Sequence, residues 1–506
     1  MVIQEMKTLE DALAVIRELT SKLEEFVASN ARLEKENAWL KRQIFESRSE
    51  KLLSVQEGTE FLPGLEIPAP EDPPQEIKQV ESHQRKARKK NGWNEIPDDL
   101  PVEEVIIDVP EAEREGMELI GYDESKRIAY RCGLFLKLIK RAKYADKSDA
   151  LRGVVTAPPA GDYFDTSSGK TKFDVSFTCK VVSDKLENAL PLDRQAKMFA
   201  REGFPVSSST LGHLFKNTAQ ALTLLYKRMI EIIMVHEILH VDETFMKLLI
   251  PGKGKCKTVY LWCRMTGTGP PLVAFHFNHS RSKKVAKLLL DNYSGTIIRD
   301  DYAGYHSLEK CQAACCWAHV QRKIKSAYDK GYIKALEPLK MIRQLYKIEA
   351  KAKKAAERKG TETALFQARK VARWESRKIL QDFFPLCRSL KEMEVPSSPV
   401  AEAVGYALKI ESELKRFLDN PKLNIDNNPA ERLMKTIAVS RKNWMFTASE
   451  AGGQNLATLF SFSETCKANN VNFRLWLEDI LPRLNTTPAS EIDTLLPHLW
   501  QASSEN

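Results

Sequence analysis

Over residues 8–45 the apolar positions return at seven-residue intervals. Leu9, Ile16, Leu23 and Ile44 share one seam with Asn30 and Asn37, and Ala12, Leu19, Phe26, Leu33 and Leu40 form the companion seam. That spacing predicts an amphipathic helix over residues 1–52 whose seam is closed by a second copy, as a parallel coiled-coil dimer. A helix folded back onto its own chain would carry the same stripe. The two asparagines at seam positions cost stability but fix register and partner number.

The periodicity then stops. Residues 53–100, with Pro68–Ala–Pro–Glu–Asp–Pro–Pro74, read as a linker unable to bury enough surface to fold. Residues 101–160 return to strand-like runs, Val102–Glu–Glu–Val–Ile–Ile107, Arg127–Ile–Ala–Tyr–Arg131 and Leu134–Phe–Leu–Lys–Leu–Ile–Lys–Arg141, which predict a small β module. Residues 161–235 are helical in pattern. A helix from Leu190 is stopped by Gly203, and the hydroxyl run after Val206 offers a cap to a new helix near Ser208, a helix-turn-helix spacing.

From Ile238 the texture is that of strands. Ile238–Val241, Lys257–Met265 and Pro271–Asn278 are joined by the glycine-rich turns at Gly252, Gly254, Gly267 and Gly269. A helix over 280–292, a strand from Gly295 to Asp300 and a strand from Gln312 to His319 follow. The order β-β-β-α-β-α-β is that of a ribonuclease-H-like core, here expected over 236–325 and 421–480, with a helical insertion at 326–420 and a helical tail at 481–506.

Bulk properties narrow this only slightly. A chain of 506 residues with 43% hydrophobic residues suggests roughly two to four domains. The net charge of +9 permits a polyanionic partner, and Arg85, Lys86, Arg88, Lys89 and Lys90 form a dense basic run suited to phosphate or simply to solvent. Nine cysteines without a Cys-x-x-Cys pair fit reduced thiols. The absence of a signal-type start or of a run near the ~20 apolar residues that span a bilayer favours a soluble intracellular protein with no membrane partner.

Three acidic places stand out. Asp242 ends the first core strand, Asp300 and Asp301 end the fourth, and Glu431 lies in the first turn of a helix begun by Asn428–Pro429. Carboxylates remote in sequence but gathered in space suit a pair of divalent ions, since hard cations select oxygen donors. Consecutive strand residues face opposite ways, so only one of Asp300 and Asp301 belongs in such a site. Each acid also has a plainer reading: turn acids after strands, and a capping box closed by Glu431.

Taken together these segments resemble the insertion-sequence-66 family of bacterial transposases. Glu36–Asn–Ala–Trp–Leu–Lys–Arg–Gln–Ile–Phe45 with Ser49–Glu–Lys–Leu52 looks like that family's zipper-and-basic start, and Leu190–Pro–Leu–Asp–Arg–Gln195 with Ala200–Arg–Glu–Gly203 its helical region. His240–Val–Asp–Glu–Thr244, Asp300–Asp–Tyr–Ala–Gly–Tyr305, and Ile425–Asp–Asn–Asn–Pro–Ala–Glu–Arg432 with Arg441–Lys–Asn–Trp444 resemble its three catalytic motifs, in order.

The resemblance implies a DDE enzyme that holds two Mg²⁺ ions, or Mn²⁺ in their place, on Asp242, Asp300 and Glu431. It would cleave element ends and transfer strands to target DNA, in the bacterial cytoplasm at the nucleoid, as a homodimer or larger assembly with accessory proteins of the same element. Arg441 and Lys442, just past the Glu431 helix, suit a grip on phosphate and Trp444 a base stack, or all three an ordinary surface role. Two departures matter. Asp301 stands where the family tends to have Gly, and the cysteine-rich zinc module expected near 101–160 keeps only Cys132. Cys316–Trp–Ala–His319 looks like a Cys-x-x-His signature of several DDE families, read here as a packed strand end. The lost cysteines leave an inactive relic, a dimeric DNA-binding protein, as the alternative.

Overall fold

The computed structural model describes residues 100–146, 153–158 and 172–501. The heptad stretch, the linker and the basic run from Arg85 to Lys90 lie outside the described residues.

Alternating side chains build the first sheet from β1 (Val102–Ile107), β2 (Glu118–Tyr130), β3 (Leu134–Ala145) and β4 (Val154–Thr156). The β2–β3 hairpin is central, β1 runs parallel to β3, and β4 pairs the far end of β3. Ile128, Leu134 and Leu136 point into an apolar cluster with Phe177, Phe199 and Phe204. The last three come from the helical region: α1 (Val175–Leu186), α2 (Leu192–Arg201), α3 (Ser208–Ala221) and α4 (Thr223–Met234). Ser207 caps α3 by accepting from the Thr210 N–H at 3.1 Å, as its hydroxyl run predicts.

The second sheet has the order β7-β6-β5-β8-β9. Its strands are β5 (Ile238–Ile250), β6 (Lys255–Thr266), β7 (Val273–Asn278), β8 (Thr296–Arg299) and β9 (Gln312–Cys315), with α5 (Lys283–Leu290) between β7 and β8. The first three strands are antiparallel, while β8 and β9 run parallel to β5.

Three expectations are corrected here. The fifth strand ends at Cys315 rather than His319, because the chain turns into a helix from Trp317. The first core strand does not end at Asp242 but runs on to Ile250, because β6 pairs with it along the whole length from Leu239 to Ile250. The helix expected between the fourth and fifth strands is a single 3-10 turn, Ala303–Ser307. That short connection is instead anchored by Tyr302 and Tyr305, whose rings pack against Trp262.

Alternation divides the two faces of this sheet. Leu239, Val241 and Ile297 enter one core, and Ile238, Ile298 and Ala314 enter another. The second core is supplied by a helical insertion: α6 (Trp317–Asp329), α7 (Leu336–Glu357), α8 (Glu362–Met393) and α9 (Pro399–Lys409). At its centre Trp317 packs on Phe383 and donates its indole N–H to the Leu414 carbonyl at 2.9 Å.

The chain returns through α10 (Asn428–Trp444), α11 (Glu450–Ala468) and α12 (Phe473–Arg483). On α11, Ser461 and Thr465 accept the outward N–H groups of Phe275 and Val273 at 2.8 and 3.0 Å, covering the edge strand β7. The tail is a 3-10 segment, Ala489–Leu495, whose last residue Leu495 and the following Leu496 return to the core. No helix among the described residues is long and apolar enough to cross a membrane.

Candidate active site

Strand register brings the first two acids together. His240 on β5 pairs with Ile298 on β8; Asp242 stands two residues further along β5 and Asp300 directly follows the end of β8, near enough for its charge to act on Asp242. With a side-chain period of two, both face the side on which Ile238 and Ile298 meet the insertion. The pairing of β5 with β8 ends at His240, which opens the sheet at Asp242.

Glu431 reaches the cleft from the first turn of α10, and the start of that helix is held by an amide and imidazole network. His240 is buried, with Nδ1 2.9 Å from Asn427 Oδ1 and Nε2 3.0 Å from Asn424 Nδ2. These partners assign a neutral ring that donates from Nδ1 and accepts at Nε2, and burial lowers its pKa to about 4. Asn427 donates from Nδ2 to the Val241 carbonyl at 2.9 Å, and its backbone N–H reaches Cys316 Sγ at 3.1 Å. The helix is therefore fastened both to β5 and to the end of β9.

The capping-box alternative for Glu431 is not what forms. The cap position is Asn427, it makes no side-chain cap hydrogen bond, and its amide is committed to β5. Glu431 instead turns outward from the helix. Its Oε1 lies 2.6 Å from Arg322 Nη2, 3.4 Å from His319 Nδ1 and 3.7 Å from Cys316 Sγ.

Asp242 is the electrostatic centre. Burial raises its pKa to about 7, the charges of Glu243, Asp300 and Glu431 push the same way, and only the Glu243 N–H at 2.9 Å opposes them. Glu243, with its side chain only 1% exposed, accepts from the Tyr305 hydroxyl at 2.5 Å and from Arg281 Nε at 2.6 Å. Burial nevertheless raises its pKa, against the pull of those two donors. Arg281 also stands 4.0 Å from Asp300 Oδ2 and lies over the Tyr302 ring. The Tyr302 N–H fixes Asp300 through Oδ1 at 3.0 Å.

Asp301 turns away. Its carboxylate meets His306 and Lys409, each at 2.7 Å, with Arg299 at 4.0 Å, so it is neutralised on the other side of the strand end. Alternation predicts that the two aspartates diverge; the partners identify which one faces Glu243 and Arg281.

The residues expected to grip DNA separate. Arg441 donates to Thr244 Oγ1 at 3.0 Å and to the Phe245 carbonyl, with its guanidinium over the Phe245 ring. Lys442 is exposed. Trp444 is corrected as a base-stacking residue: its ring is buried in the main core, with the Lys185 ammonium 5.7 Å from the ring centre.

Sequence reasoning missed Glu243, Arg281, Tyr305, Arg322, Asn424 and Asn427. The signals were the second acid after Asp242, the Tyr-x-x-Tyr after Asp300, and three asparagines ahead of Glu431. All nine cysteines are unpaired.

Chemically, buried oxygen donors from three distant segments, carrying more negative charge than their surroundings cancel, fit hard divalent cations. The thiol and imidazole beside Glu431 give one flank of the cluster softer donors.

Comparison with known proteins follows the same order along the chain. Residues 170–455 match the model described as "Transposase IS66 family", residues 461–498 "IS66 C-terminal element", and residues 32–105 "Transposase C of IS166 homeodomain". Two proteins of Sinorhizobium fredii (strain NBRC 101917 / NGR234) are similar over most of their length. "Uncharacterized protein y4jD" is 28% identical over 93% of this chain and 94% of its own. "Uncharacterized protein y4qI" is 30% identical over 78% of this chain and 75% of its own.

Proposed function

Because the chain belongs to the IS66 family of transposases, we propose that it is a DDE enzyme that cuts DNA at the ends of an insertion sequence and joins them to a target. The observation that carries the reading is the Asp242 carboxyl, held near neutral pKa by burial and by acids converging from separate segments. The sheet order, three antiparallel strands followed by two parallel ones, supports a ribonuclease-H-like core interrupted by the helical insertion.

In this reading Asp242, Asp300 and Glu431 would hold two Mg²⁺ ions, or Mn²⁺ in their place. Bound there, the metal supplies charge neutralisation and activates the attacking oxygen for in-line displacement at phosphorus. The chain's own contribution is to set the acids in advance. Strand register fixes Asp242 and Asp300, Arg281 and Tyr302 steady the latter, and the His240–Asn427 contact fixes the helix that carries Glu431. Water would cleave at the element's end, and the freed 3′-OH would attack target DNA, with no covalent enzyme intermediate. Lys442, exposed at the end of α10, would contact phosphate. Residues 8–45 would pair two copies, and accessory proteins of the same element would join them on DNA at the bacterial nucleoid.

The test uses the full chain, Mg²⁺ and a labelled duplex carrying the inverted repeats that flank its own coding region. Nicked ends with free 3′-OH and strand-joined products are expected, both abolished by a chelator. Binding without products would leave a DNA-binding relic. Cleavage without joining would leave a nuclease.

A further inference from the structure

The sequence offers two soft donors at Cys316 and His319, and the fold delivers a third ligand to them from a distant helix. Cys316 follows β9 and caps α6, His319 lies in the first turn of α6, and Glu431 comes from α10. One donor atom from each lies within 4.8 Å of the other two. Glu431 Oε1 is 3.7 Å from the sulfur and 3.4 Å from His319 Nδ1. With zinc bonds of about 2.0–2.3 Å, a tetrahedral shell places its donors roughly 3.3–3.7 Å apart, so both separations match its edges.

Three further features suit a metal. The Asn427 N–H points at the Cys316 sulfur from 3.1 Å, which orients the sulfur toward the cleft. The neighbouring Cys315 packs in the apolar core of the insertion, so the pair of thiols is divided between packing and the cleft. Finally, positive charge already occupies the spot. Arg322 Nη2 sits 2.6 Å from Glu431 Oε1 and 3.3 Å from His319 Nδ1, on a side chain that is 56% exposed and also donates from Nε to the Ala318 carbonyl at 3.3 Å.

We propose that Cys316, His319 and Glu431 form a Zn²⁺ site, and that filling it withdraws Glu431 from the acid cluster and switches the enzyme off. On binding, the Cys316 S–H gives its proton to solvent as the sulfur–zinc bond forms, hydrated Zn²⁺ sheds all but one of its waters as the three ligands replace them, and Arg322 moves aside. The fourth position stays open to water. The switching half rests on the function proposed above; the binding half does not.

The experiment titrates the reduced full chain with Co²⁺ and reads thiolate-to-cobalt charge transfer in the near ultraviolet, then displaces it with Zn²⁺. One cobalt per chain with this band is expected. Cys316→Ser should lose the band, His319→Ala should weaken affinity at least tenfold, and Arg322→Ala should tighten it by removing the competing cation. No band, or a band that survives Cys316→Ser, overturns the site. His319→Ala keeps the test decisive if the serine variant fails to fold. Separately, Zn²⁺ should inhibit Mg²⁺-dependent cleavage, with half-inhibition moved at least tenfold higher in His319→Ala relative to that variant's own uninhibited rate. Equal inhibition in both overturns the switch. A chain that binds cobalt yet never cleaves DNA refutes the transposase reading and the switch together, while the site stands.

Discussion

The molecule buries acid in two places and treats it in opposite ways. Within the insertion, Glu349 receives Arg373 through both oxygens at 2.7 and 3.0 Å and Arg369 at 3.0 Å. Arg373 spends its remaining N–H groups on the carbonyls of Phe417, Asn420 and Leu423, so charge and hydrogen bonds are both satisfied. In the cleft, Asp242, Glu243, Asp300 and Glu431 share, among the described residues, Arg281 and Arg322, with His319 beside Glu431, and neither arginine reaches Asp242. The first arrangement is complete as it stands and serves the fold. The second leaves negative charge uncancelled at some cost in stability, as a site kept for chemistry would.

The contrast makes opposite predictions for the two clusters. Asp242→Asn and Asp300→Asn should each reduce cleavage on the order of a thousandfold or more, equivalent to about 4 kcal/mol of lost transition-state stabilisation. Thermal unfolding of Asp242→Asn should not occur earlier than that of the parent, since the change removes a like charge from a buried cluster. Cleavage within tenfold of the parent, or a clear drop in melting temperature, would erase the distinction. In the insertion, Arg373→Ala should cost about 3–5 kcal/mol in urea unfolding, because it strips a buried carboxylate and three carbonyls of their donors. A loss below about 1 kcal/mol would mean that Arg369 alone satisfies Glu349. The smallest effect sharpens the boundary between the clusters: Asp301→Asn should lose about 1–3 kcal/mol of stability by weakening its contacts to His306 and Lys409, yet keep cleavage within a few-fold.

The sequence exposes these clusters unequally. Apolar runs at Ile238, Val273 and Ile297 are strong enough to mark core strands, and alternation is enough to say that Asp300 and Asp301 part company. Glu349 is different. It lies in a tract with Lys347, Lys351, Lys353 and Lys354, where mixed charge reads as a solvated helix. Its burial depends on a partner helix two dozen residues away, which no local pattern reports. His240, Asn424 and Asn427 pose the same difficulty, since each resembles an ordinary strand or turn residue until the imidazole meets both amides. The length of β5 is less legible: Phe245, Met246, Leu248, Leu249 and Ile250 continue the apolar run past Asp242, but that they stay in one strand with it is set by the pairing with β6. Trp444 beside Arg441 and Lys442 suggested a base-stacking surface, but which side of α10 meets the core is decided by tertiary packing.

One further contact joins the two clusters. Arg369, beside Glu349, donates to Asn424 Oδ1 at 2.8 Å, and the same amide holds His240. The inserted helices thus act as a splint for the segment leading into α10. An engineer shortening this protein could trim the tip of the hairpin near Gly360, but could not excise the hairpin whole without letting Glu431 drift from its neighbours.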